Sequence, residues 1–235
     1  MVCRFNNFFC FKEIDEYVKD MVEVAKTETT QELYETIMGE NPSYFKDRLQ
    51  NPVENMSYYD VVYFCNKLSL AKGLQPVYYV GNSLYVSEWD YIPHQGESLG
   101  NITINETANG YRLPTEEEWQ YAAKGGENYI YAGSNNINEV AWYLDNSNDT
   151  THLVAQKKAN AYGLYDMSGN VVEMCIDSDS YIYCGGSWCY HSDFSFFGDR
   201  GEYIGDGCKV NIKKKISYYK YYGANGFRIV RTITE

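Results

Sequence analysis

The stretch Asn160-Ala-Tyr-Gly-Leu-Tyr-Asp-Met-Ser-Gly-Asn-Val-Val-Glu-Met-Cys175 constrains the fold more than any other part of this chain. Leu164, Met167, Val171, Val172 and Met174 alternate irregularly with Gly163, Gly169 and Asn170. That is the pattern of a strand entering and leaving a tight turn. Gly169 and Asn170 tolerate positive φ, so the chain can reverse there. Asp166 and Glu173 flank the turn and can point into it.

The rest of the chain supplies elements that could surround such a turn. Residues 21–28 alternate apolar and polar, the period of a half-buried strand. A helix is expected over 30–38, with Thr29 and Glu32 spaced as a capping box and Gly39 as its stop. A second starts at Ser57, whose capping-box partner is Asp60. Val61, Phe64, Cys65 and Leu68 share one apolar face, which makes Cys65 a core thiol, and Gly73 ends the helix. Two β-rich runs between 77 and 86 flank Gly81-Asn-Ser, a hairpin signal. Residues 90–109 read as an irregular polar insertion. Arg112-Leu-Pro-Thr115 leads into a third short helix capped by Thr115 and Glu118, with Trp119 and Ala122 inward and Gly125-Gly126 as the stop. Residues 128–151 are loop-rich, with Trp142 as an anchor. Residues 225–233 alternate again as a last strand. Residues 1–20 form an aromatic lead-in with no assigned element. With no repeat and no linker, residues 1–235 read as one domain.

Bulk properties exclude several functions. A chain of 235 residues buries roughly 70–75% of its unfolded surface and needs no disulfide or metal scaffold. A net charge of −12 argues against nucleic acid as a partner, and Lys213-Lys-Lys215 is a solvated loop. Seven cysteines cannot all pair within the chain; Cys3 and Cys10 are too isolated for zinc, and His94, His152 and His191 share no ligand spacing. No run approaches the ~20 apolar residues of a spanning helix, and Met1 is not followed by a signal-peptide core. A cytoplasmic protein and a surface protein that has lost its leader both fit.

Four motifs stand in order: Tyr111-Arg-Leu-Pro-Thr-Glu-Glu-Glu-Trp119, the central stretch, Gly185-Gly-Ser-Trp188 and Asn225-Gly-Phe-Arg228. Together they resemble the formylglycine-generating-enzyme-like domain, a branch of the C-type lectin fold. The resemblance runs from about residue 21 to 231. It implies a single α+β domain with paired terminal strands and two to three short helices. In the enzymes of that family two cysteines after the Gly-Gly-Ser-aromatic motif hold copper, for which a thiolate pair is the natural ligand set. The matching positions here are Tyr190 and Ser195, so no copper and no oxidase activity are expected. The family also binds calcium in the central turn. The matching positions are Asp166, Gly169, Val171 and Glu173, whose oxygens suit a hard cation. The alternative is that Asp166 and Glu173 accept backbone N–H bonds around the turn.

The segment 178–224 departs most from the enzymes. It is rich in Tyr, Cys, Phe, Ser, Asp, His and Gly in no amphipathic order, a scatter unsuited to a buried strand. It suits an exposed recognition face, where tyrosine gives large contact area at low entropy cost. The pattern resembles the variable proteins of diversity-generating retroelements, surface lipoproteins of treponemes among them. Randomised AAC codons in that class yield the same side chains and never Trp, Met, Gln, Glu or Lys. The resemblance implies a non-catalytic binder of a protein or glycan ligand, displayed at a bacterial cell surface and reaching the membrane only through a lipid anchor. Its expected ligand residues are Tyr181, Tyr183, Trp188, Cys189, Tyr190, His191, Asp193, Phe194, Phe196, Tyr203, Tyr218, Tyr219, Tyr221 and Tyr222. On this view, alanine at Tyr190, Tyr219 and Tyr221 leaves stability unchanged. The rivals are a formylglycine-type oxidase, a calcium-dependent sugar lectin (although the Glu-Pro-Asn and Gln-Pro-Asp triplets are absent) and a structural surface protein without a dedicated ligand.

Overall fold

The computed structural model describes residues 4–5, 8–12, 21–95, 98–177, 180–190, 196–197, 202–203 and 223–233. In chain order the N-terminal part contains β1 (Arg4–Phe5), β2 (Phe8–Lys12), β3 (Met21–Ala25), α1 (Gln31–Met38), α2 (Tyr58–Ala71), β4 (Tyr78–Val80), β5 (Ile102–Ile104), β6 (Tyr111–Arg112), α3 (Glu116–Lys124) and α4 (Ile137–Val140). The C-terminal part contains β7 (Val172–Asp177), β8 (Ser180–Cys184), β9 (Phe196–Phe197), β10 (Glu202–Tyr203), β11 (Asn225–Gly226) and β12 (Val230–Ile233). This is the mixed α+β architecture expected, with four α-helices among the described residues where two to three were expected.

The main sheet has the order β1-β2-β3-β12-β6. Its centre is the antiparallel pairing of β3 with β12, from Val24 opposite Val230 to Met21 opposite Ile233. The first long strand and the last therefore meet, as the resemblance implied. The lead-in adds to this sheet: β2 pairs antiparallel with β3. A second sheet, β11-β7-β8, is built on the central stretch. Its strand β7 serves two hydrophobic clusters. Val172 and Met174 join the one around Phe64, Leu113 and Phe227. Leu164, Met167 and Cys175 join the one around Trp119, Ile182 and Val230.

The helices begin where local chemistry dictates. Two of the three expected capping boxes form, at Ser57 with Asp60 and at Thr115 with Glu118. The first helix is capped one residue later than the spacing suggested. Thr30 Oγ1 accepts from Leu33 N, while Thr29 is committed to Phe227 and Val53 through its backbone. The predicted hairpin over 77–86 shrinks to a bridge between Val80 and Ser83. Strand β4 pairs instead with β5, inside the insertion read as irregular. Asp60 secures that insertion to α2, accepting Tyr91 O–H at 2.8 Å and His94 N–H at 2.9 Å. Burial pushes the Asp60 carboxyl up, but bonds from His94 and Ser57 outweigh this and hold it at about 2. Cys65 lies in the core, its thiol pushed up by burial. Among the described residues, no helix is long and apolar enough to cross a membrane.

Candidate functional site

The central turn is where the scaffold is tied together. Gly169 and Asn170 have φ of 83° and 63°. A Cβ on Gly169 would collide with the Trp142 carbonyl, so the position requires both the conformation and the bareness of glycine. The turn backbone is bonded on all sides. Gly169 N–H donates to Gly185 O, Asn170 N–H to Trp142 O, and Val172 N–H to Ala224 O, each at 2.8 Å. Trp188 N–H donates to Asn170 O, also at 2.8 Å. The Asn170 side chain accepts from His152 N at 2.9 Å and donates to Glu28 Oε2 at 2.7 Å. Glu28 Oε1 in turn accepts Val171 N–H at 3.0 Å.

Glu173 has a different partner from either one expected. Its Oε2 accepts Trp119 Nε1–H at 2.6 Å and Arg228 Nε–H at 2.5 Å, and its Oε1 accepts Arg228 Nη2–H at 2.6 Å. Arg228 also donates to Ala25 O at 2.9 Å and Tyr165 O at 2.8 Å. Burial opposes the guanidinium charge, but Glu173, Glu28 and Asp166 around it hold it protonated. Asp166 Oδ2 accepts Ala155 N–H at 2.7 Å, one of the backbone bonds the alternative reading foresaw. Burial raises the Asp166 carboxyl to about 6. It also raises Glu28 well above the carboxylate range, with help from the charges of Asp166 and Glu173. Both Glu173 oxygens that a calcium ion would use accept N–H donors in this arrangement. The cation facing this carboxylate is Arg228. Among the described residues, no group of three or more His, Cys, Asp or Glu side chains could hold a metal ion.

Beyond the turn, Trp188 and Gly223 are joined at one place, the neck. Trp188 Nε1–H donates to Gly223 O at 2.6 Å, and Gly223 N–H donates to Asn55 Oδ1 at 2.8 Å. Ser147 Oγ–H holds the Trp188 carbonyl at 2.8 Å. Phe45 stands edge-on to Trp188, with centroids 5.4 Å apart. A Cβ on Gly223, whose φ is 80°, would come within 2.7 Å of the Phe45 ring.

The expected ligand residues divide at this neck. Tyr181 is half-buried and stacked on Tyr58, with centroids 5.1 Å apart. Cys189 is half-buried, its sulfur 3.2 Å from Ser187 Oγ. Three others are not on an exposed face. Tyr183 and Trp188 are each 7% exposed and Tyr190 is 2% exposed. Tyr183 lies on β8 opposite Met174, which puts its ring in the larger cluster. Tyr190 is turned inward by its N–H bond to Ser187 O, and its own carbonyl accepts Leu144 N–H, both at 3.0 Å. Phe196 and Tyr203 face each other across the β9–β10 pairing. Their side chains, and His191, Asp193, Phe194, Ser195, Tyr218, Tyr219, Tyr221 and Tyr222, lie outside the described residues. Sequence reasoning missed Phe45, Asn55 and the Glu173–Arg228 pair. Asn55 carried a faint signal, since asparagine tolerates the positive φ it adopts, 65°.

A cavity of about 650 Å³ opens elsewhere, lined among others by Lys26, Glu28, Tyr111 and Tyr165. None of the predicted ligand or metal residues lines it.

The paired terminal strands, the bonded central turn and the buried arginine after Gly-Phe form one constellation. The model of the sulfatase-modifying factor enzyme 1-like domain matches residues 11–233. The chain belongs to this family. Among relatives in the family, "Chaperone protein LppX" of Paenibacillus barcinonensis is 39% identical over 194 residues, covering 70% of this chain and 68% of that protein. "Inactive C-alpha-formylglycine-generating enzyme 2" of Bos taurus is 36% identical over 105 residues, which is 37% of this chain and 35% of the bovine protein. The solved structure of Treponema denticola variable protein 1 superimposes with a TM-score of 0.73 at 32% identity, covering 90% of this chain and 84% of that one. The sulfatase-modifying fold is thus shared with a variable protein over nearly the whole chain.

Proposed function

We propose that this chain is a non-catalytic binding protein whose scaffold displays the segment 191–222 to a macromolecular ligand, and that a retroelement diversifies that segment. The observation that carries this reading is the neck. Trp188, Gly223, Asn55 and Phe45 bring the two ends of the segment together with bonds made by the scaffold itself. Side chains beyond it can then change without disturbing the turn. The likeness to a variable protein supports the same reading. So does the pair of positions that would carry copper: Tyr190 fills the core and Ser195 has no thiolate to offer. We expect no copper uptake and no oxidation of a cysteine peptide. Display at a cell surface through a lipid anchor belongs to this proposal and is tested by membrane fractionation.

A second reading is favoured by the 39% identity to a protein named as a chaperone: a fixed surface for one protein client. Sequencing the 3′ end of the gene in many clones separates the two. Diversification predicts codons that vary within 191–222 while those for Gly185–Trp188 and Gly226–Arg228 stay fixed. It also predicts a near-copy, differing at adenines, beside a reverse transcriptase gene. An invariant segment with no copy overturns diversification and leaves the fixed client.

A further inference from the structure

The strand pair that follows the central turn carries two thiols. Cys175 lies on β7 and Cys184 on β8, 0% and 2% exposed. The register sets Cys175 opposite Ile182, and Glu173 opposite Cys184. Side chains at paired positions share a face of a sheet, and so do positions two apart on one strand. Cys175 and Cys184 are therefore diagonal neighbours on one face, which packs against Trp119 and Val230. The two thiols are hydrogen-bonded to each other, so their sulfurs meet across the strand pair. Two other described cysteines have no such match. Cys65 belongs to the other hydrophobic cluster, and Cys189 lies past the Gly185-Gly186 turn, against Ser187 Oγ. The side chains of Cys3, Cys10 and Cys208 lie outside the described residues. Two facing sulfurs can hold a soft metal ion or join to each other. Among the described residues, no third His, Cys, Asp or Glu side chain completes a metal site around them. Burial pushes the Cys175 thiol well above its ordinary value, and Cys184 beside it adds to the rise. The folded core thus withholds the thiolate that exchange requires. Exchange belongs to the chain before β8 has docked on β7.

We propose that Cys175 and Cys184 are a site of oxidative modification, which closes a disulfide across β7 and β8 as the chain folds in the presence of a disulfide oxidant. The thiolate of one cysteine attacks the S–S bond of the oxidant, forms a mixed disulfide and releases one thiol. The second cysteine then attacks the chain's sulfur in that mixed disulfide and displaces the rest of the oxidant as another thiol. One S–S bond breaks and one remains in the chain. The oxidant is reduced to two thiols, which carry the two protons, and the chain loses two hydrogens. Diagonal neighbours stand wider apart than direct ones, so the bond draws the two strands together at this point. It ties the strand that carries Glu173 to the one that runs into Gly185, whose carbonyl accepts Gly169 N–H. The inference is independent of the binding function proposed above.

The test unfolds the full reduced chain in urea and refolds it with oxidised glutathione as the probe. Remaining thiols are alkylated, and the protein is digested with a protease that cleaves before aspartate. Cuts at Asp177 and Asp179 separate Cys175 from Cys184. Mass spectrometry should find the two peptides joined and lighter by two hydrogens, as the dominant product, and should find them apart after reduction. The folded, reduced protein in the same glutathione should form this bond at least about tenfold more slowly, because both sulfurs are covered. Three results would overturn the inference. One is Cys175 recovered alkylated or capped by glutathione. Another is Cys184 joined to Cys189 or to any cysteine other than Cys175. The third is formation at equal rates in the folded and the refolding chain.

Discussion

The central turn and the neck hold the same polypeptide in opposite ways. The turn is bonded through buried charge: Glu28, Asp166 and Glu173 surround Arg228, and the bonds reach residues as far apart in sequence as Ala25 and Arg228. The neck is closed by two bonds to the backbone of Gly223 and by the edge of one ring. A part removed from the turn leaves a charge stranded in the core. On the function proposed above, a part changed beyond the neck should leave these bonds in place. This difference teaches where the molecule can tolerate variation, and it can be broken or sharpened by substitution.

The largest effect is expected at the turn. Arg228→Ala leaves Glu173 buried without its cation and should cost about 3–5 kcal/mol in urea unfolding, the range for breaking a buried pair. A loss below about 1 kcal/mol would mean that another group compensates Glu173. Because the compensating cation is Arg228, a calcium chelator should leave the melting temperature unchanged.

Tyr190 lies on the scaffold side of the divide. Tyr190→Ala should cost about 3 kcal/mol, as a large buried ring does, whereas Tyr190→Phe should cost far less. Equal, negligible losses for both would move the boundary of the tolerant region back before the neck.

The carboxylates of the turn predict the direction of a pH effect. The folded Asp166 carboxyl lies at about 6, above its ordinary value near 3.8. The stability tied to its protonated form is complete below about pH 3.8 and is lost as pH rises through about 6. Glu28, also raised, acts with the same sign. Asp60, at about 2, loses its contribution only as pH falls from about 3.8 through about 2, outside that window. Unfolding free energy should therefore fall between about pH 4 and 6.5, and Asp166→Asn should flatten the slope. A rise over the same window, or a slope unaffected by the substitution, would contradict the placement of Asp166.

What could be read from the sequence followed the reach of each interaction. The helix starts at Ser57 and Thr115 were legible because capping spans four residues. The cap at Thr30 was missed by one position because Thr29 offers the same hydroxyl, and only its bonds to Phe227 and Val53 disqualify it. The partner of β4 was hidden because β5 lies over twenty residues away in a segment of weak alternation. The turn itself was plain in Gly169 and Asn170. The cation filling it was not, since Arg228 lies 55 residues from Glu173. Tyr190 shows the limit most sharply. Its residue type belongs to the recognition alphabet, and tyrosine gives no local sign of which way it faces.

The most direct measurement replaces residues 191–222 with a glycine-serine linker of equal length and follows thermal unfolding by circular dichroism. If the neck divides scaffold from display, the variant melts cooperatively within about 3 °C of the parent, a difference under about 1 kcal/mol. A fall of more than about 10 °C, or loss of the cooperative transition, would show that the segment is part of the core and would contradict the account.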